Sequence, residues 1–141
     1  MLFSLVGAIT LIACGPSKVE ECTQILNLIE ASRQQQPLGT QTREMMLQRA
    51  TLNIQLAEQL AALPVKHSKL QEYRNILVAG FQKQAAAERA HADFANPDGT
   101  VSIRVGDTVR EQTWQKVQSQ QRQAANQTQL GYGQVVSYCS I

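Results

Sequence analysis

Between Lys18 and Cys139 apolar residues return every three or four positions, and these runs are cut by Pro37-Leu38-Gly39, by Pro64 and by Asn96-Pro97-Asp98-Gly99. That recurrence is what a helix needs to bury one stripe, and proline and glycine turns are what stop it. Four such segments joined by short connections predict an all-α domain, a four-helix up-and-down bundle with antiparallel neighbours. Gln makes up about a seventh of the chain and aromatic residues only 5%, a composition suited to helices with wide polar faces rather than to an aromatic sheet core.

Ser17-Lys18-Val19-Glu20 has capping-box spacing and starts the first helix near Lys18, with Val19, Cys22, Ile25, Leu26 and Ile29 inward. A second helix is predicted from Gln41 to Leu63, with Met45, Leu52, Leu56 and Leu63 on one stripe, and Pro64 ends it. Ser68-Lys69-Leu70-Gln71 opens a third, to about Ala95, burying Leu70, Tyr73, Leu77, Phe81, Ala87 and Phe94. Within it Gly80 and the neighbouring alanines make a slim seam for close helix approach. Val101, Ile103 and Val105 alternate with polar residues, so 100–105 reads as a short extended segment, either a loop or one strand of a small β-ribbon with 135–138.

The fourth helix opens at Thr108-Val109-Arg110-Glu111 and is expected to end at Gly131-Tyr132-Gly133. Its stripe of Trp114, Val117, Ala124, Ala125 and Thr128 is weak, and Gln115 to Gln129 offers little to bury. A helix of that kind docks loosely or bridges to something else. Gln118, Gln121 and Arg122 are therefore candidate partner contacts, and Trp114 reads first as a core anchor, with a partner contact as its alternative.

Met1 to Ala13 is almost wholly apolar but shorter than the roughly 20 residues a spanning helix needs, and it reads as the core of an export signal or, failing that, as an apolar anchor. Leu11-Ile12-Ala13-Cys14 with Gly15 behind it resembles the lipobox of bacterial lipoproteins. The resemblance implies a signal peptide over 1–13, a lipid on Cys14, a linker over 14–17 and the bundle over 18–141. Cys22 and Cys139 then remain, at opposite ends of the exported chain, and either pair as one disulfide or stay as two thiols.

Chemistry-bearing motifs are scarce. His67 and His91 would lie about 36 Å apart on one helix, too far to share a metal, and Met45-Met46 reads as core packing. Glu20 with Glu21, and Glu88 with Asp93, read as solvated helix faces remote from any concave pocket. Glycine-rich phosphate loops, nucleophile elbows and metalloprotease helices are missing, so no enzyme, no cofactor and no metal is expected. The net charge of +2 is spread without a basic run, which argues against nucleic acid.

The lipobox, a cysteine in the first helix, the segment Leu63-Pro64-Val65-Lys66-His67-Ser68-Lys69-Leu70-Gln71-Glu72-Tyr73-Arg74 and the terminal Tyr138-Cys139 resemble a group of uncharacterised helical proteins from cyanobacteria. The resemblance implies the periplasmic or thylakoid-lumenal side of a membrane. By fold-level analogy with small four-helix lipoproteins that bind photosystem complexes, it implies a non-catalytic accessory or assembly subunit of a membrane protein complex. The alternative expectation is a carrier of a small hydrophobic ligand between the helices.

Overall fold

The computed structural model describes residues 16–140. Four helices, α1 (Lys18–Gln35), α2 (Arg43–Ala62), α3 (Ser68–Phe94) and α4 (Thr108–Cys139), follow one another up and down. Each lies beside the next, and α4 returns to α1. The pairing of Arg49 with Glu88, of Tyr73 with Tyr138 and of Phe94 with Trp114 shows that neighbours run antiparallel. Among the described residues there is no strand, and no helix is long and apolar enough to cross a membrane.

Local chemistry sets the ends. The Ser17 hydroxyl accepts from the Glu20 amide while the Glu20 carboxylate accepts from the Ser17 amide, closing the capping box that starts α1. Thr42 caps α2 through the Met45 amide and Asp107 caps α4 through the Arg110 amide, one residue ahead of the Thr108 start expected from spacing. The Ser68 capping box does not form: His67 is the N-cap of α3 and makes no side-chain cap bond. Leu63 and Pro64 close α2, since proline supplies no N–H to continue it.

The helices differ in length, and that difference shapes the molecule. At 1.5 Å per residue the 18 residues of α1 span about 27 Å and the 32 of α4 about 48 Å. The short α1 therefore completes a four-helix cross-section over only part of the bundle. In that part lies the main core, where Ile25, Leu60, Leu70, Leu77 and Val135 have no exposed surface. Burying each such side chain contributes about 1.5–3 kcal/mol. Past the end of α1 a second, smaller core holds only Met46, Ala92 and Ala95, with Val101 against it.

Two expectations fail in α4. The helix runs through Gly131-Tyr132-Gly133 to Cys139, and 135–138, offered as a strand, is its last turn and a half, with Val135 fully buried. The glycines do not break it because Gly131 is where α4 lies against α3. A Cβ there would stand 3.0 Å from the Ile76 side chain and 3.2 Å from Leu77. Gly80 marks the same seam from the other side, its missing Cβ 2.6 Å from the Thr128 hydroxyl and 3.0 Å from the Thr128 Cα. Residues 101–104 are irregular chain, the loop form of the predicted extended segment. In α2 the buried stripe is Met46, Ala50, Asn53, Leu56, Ala57 and Leu60, rotated by about one residue from the stripe read through Met45 and Leu52.

Candidate functional site

At the end of the bundle where α1 begins, α2 hands over to α3 and α4 finishes, polar groups fasten four segments together. Glu21, with no exposed surface, accepts hydrogen bonds from the backbone amides of Lys66 (2.8 Å) and His67 (3.3 Å), and its carboxylate lies 2.9 Å from His67 Nδ1. Burial alone would raise the Glu21 pKa, but these donors outweigh it and hold the carboxyl below its usual value. The reading of Glu21 as a solvated side chain is thus corrected. Arg74 donates to the Leu63 carbonyl at 2.7 Å and Gln71 to the Val65 carbonyl at 2.6 Å, fixing the same turn from α3. One position beyond Glu21, Cys22 faces Cys139 at disulfide distance, their Cα atoms 5.8 Å apart. Cys14 and the signal segment lie outside the described residues.

The candidate binding site is at the other end of α1. Where α1 stops, the space it filled between α2 and α4 becomes a groove of about 540 Å³. Ile29, Ser32, Arg33 and Gln36 close one end, Arg49, Asn53 and Leu56 form the α2 wall, and Phe81, Gln84, Ala87 and Glu88 form the floor on α3. The α4 wall runs from Gln121 through Ala124, Ala125 and Thr128 to Gln129 and Tyr132. Helical spacing explains the floor, since positions 81, 84 and 88 fall on one face.

Three polar features mark the groove. The Arg49 guanidinium forks onto Glu88, Nε to Oε1 at 3.3 Å and Nη2 to Oε2 at 3.4 Å, with each side chain 20% exposed. Asn53 is only 8% exposed, yet its side chain takes no hydrogen bond from the described residues. Arg33 lies over the Tyr132 ring, 4.6 Å from its centroid. Glu88 therefore sits in a concave site with a cationic partner, which corrects its reading as a solvated carboxylate remote from a pocket. Asn53 stood in the sequence as a visible anomaly, a polar residue between Ala50 and Ala57 on a buried stripe.

The predicted contact residues on α4 separate. Gln121 lines the groove, and its amide lies 2.9 Å from His91 Nδ1. Trp114 is half-buried in an aromatic stack, 5.2 Å from Phe94 and 5.0 Å from His91 between ring centroids. Burial there lowers the His91 pKa, Glu88 opposes the shift and Arg49 adds to it. Gln118 is half-exposed and Arg122 exposed. Among the described residues no three His, Cys, Asp or Glu side chains gather to hold a metal. Comparison with protein-family models, with curated proteins and with solved structures finds no match to this chain.

Proposed function

We propose that this chain is a non-catalytic accessory subunit, held at a membrane through lipid on Cys14 and presenting the far end of its bundle to a membrane protein complex. The opposition of the two ends supports this reading. Cys14 precedes Pro16 by two residues, about 7 Å of extended chain, so a lipid there would moor the fastened end. The far end carries most of the strongly exposed apolar side chains, Leu38 at 94% with Val105 and Val109 open beside the start of α4. The fastened end exposes Val19, which does not turn inward as its spacing predicts. Tethering raises effective concentration at the membrane surface without new contacts, so modest apolar contacts at the free end would suffice for stable association.

The test uses the native, membrane-extracted chain. Mass spectrometry should find a lipidated N-terminal Cys14, and native electrophoresis in mild detergent should place the chain in a larger complex. Leu38→Asp with Val105→Asp should release it from the complex while leaving it in the membrane fraction. An intact Met1 terminus, or a chain that migrates alone, refutes the reading. A second reading, a carrier of a small ligand between the helices, is favoured by one observation, the groove beside α1.

A further inference from the structure

We propose that the groove at the end of α1 is a binding site for an uncharged small molecule that joins an amide group to a flat apolar body. The proposal rests on the carrier reading above and gives the chemical class of the ligand. The volume of about 540 Å³ falls within the range of small-molecule sites. The decisive group is Asn53. As a residue it is 8% exposed, it lines the groove, and its carboxamide makes no hydrogen bond to the described residues, so its polar atoms are free to meet a ligand. A ligand amide seated there would pair with a carboxamide that the described side chains leave without a partner.

Charge then selects the ligand. The charged side chains of the lining are Arg33, Arg49 and Glu88. Arg49 and Glu88 neutralise one another through their fork, and Arg33 is spread over Tyr132 with Glu30 3.9 Å away. A carboxylate entering beside this pair meets Glu88, and an ammonium meets Arg49. Either would add a like charge in a half-buried site, where such contacts are unfavourable. The remaining polar lining includes Gln84 and Gln129, and like Asn53 each offers donors and an acceptor on one planar group. A ligand amide has the same pair of functions and so can bond to these side chains in both directions. Leu56, Phe81 and Ala124 supply the apolar surface for its body.

Four probes of one shape separate the possibilities: 2-naphthamide, 2-naphthoate, 2-naphthamidinium and 2-methylnaphthalene. They are titrated into the full chain in lipid nanodiscs, empty nanodiscs correcting for partition, with the Asn53 side-chain NH2 resonances as the local readout. 2-Naphthamide should shift those resonances and bind about tenfold tighter than the other three, the factor that corresponds to one net hydrogen bond. Asn53→Leu, which keeps the branched shape and removes the polar atoms, should remove that advantage over 2-methylnaphthalene while the helical circular dichroism stays unchanged. If Asn53→Leu does not fold, Gln84→Leu makes the same comparison and should weaken the amide preference. Tighter binding of the anion or the cation overturns the ligand class while leaving the groove a site. Failure of all four to move the Asn53 signals overturns the carrier reading itself, and an amide advantage that survives both variants overturns the assignment to these carboxamides.

Discussion

The two ends of the bundle use different chemistry. At the α1 start, large aliphatic side chains pack between four helices, a buried carboxylate holds a turn through its backbone amides, and two cysteines face each other. At the far end Met46 of α2 packs with Ala92 and Ala95 at the close of α3 beneath Val101, Phe94 stacks on Trp114 of α4, and the loops expose Leu38 and Val105. Apolar burial scales with side-chain area, so the alanine-rich end is held by less of it per turn of helix. The difference teaches that a bundle can be made rigid at one end and open at the other simply by ending one helix early.

Joining Cys22 to Cys139 should have the largest effect on this contrast. The bond closes a loop of 117 residues, and the chain-entropy relation gives about 5 kcal/mol for a loop of that length. Urea unfolding of the oxidised chain should therefore exceed that of Cys22→Ser with Cys139→Ser by several kcal/mol. Equal midpoints, with both thiols alkylated in protein from its native compartment, would break the comparison. In the oxidised chain, amide hydrogen exchange from Gln118 to Gln127 should outpace that near Val135.

Glu21 comes next. Glu21→Leu leaves the Lys66 and His67 amides without their acceptor and should cost about 2–3 kcal/mol, read by thermal or urea unfolding. Because the folded-state pKa of Glu21 is depressed, its contribution is present above the unfolded value near 4.5 and is lost as pH falls through the folded value. The variant should lack that part of the acid loss. A variant as stable as the parent would show that the turn is held by Arg74 and Gln71 alone.

Two glycines on the α3–α4 pair sharpen the picture by about 1 kcal/mol each. Gly80→Ala should destabilise despite the better helix propensity of alanine, because the new Cβ meets Thr128 backbone as well as side chain. Gly133→Ala meets nothing within 4 Å and should stabilise by up to about 1 kcal/mol. Opposite signs in paired thermal melts are the expected result. The smallest effect belongs to His91. Its pKa is lowered in the fold, so stability present above its usual value of 6.5 declines as pH falls through the folded value, ahead of the Glu21 loss. Imidazole titration by NMR, followed beside the Trp114 signal, would show the far end loosening first.

The helices were legible because each carries its stripe and its stop within a few residues, as with Ser17 to Glu20 and Pro64. The site was less legible for reasons that lie in three dimensions. Glu21 stands beside Glu20 in the chain, but neighbours on a helix point about 100 degrees apart, and the partners of Glu21 are backbone amides that leave no mark on the sequence. Gly131-Tyr132-Gly133 looks like a stop unless the seam with Leu77 is known, since tertiary contact decides whether glycine breaks a helix or lets one approach. The groove exists because α1 ends at Gln35 while its neighbours continue, a comparison of lengths across separate segments.

A bond between Cys22 and Cys139 would also turn residues 22–139 into a ring. A protease that cuts the connection between Phe94 and Thr108 would then open the ring without releasing a fragment, and α4 would stay attached through α1. Such a nicked chain would run as one species on a denaturing gel until reductant was added, then as two. The same geometry makes that connection a natural place for new termini, because a permuted chain begun there would keep both halves covalently joined.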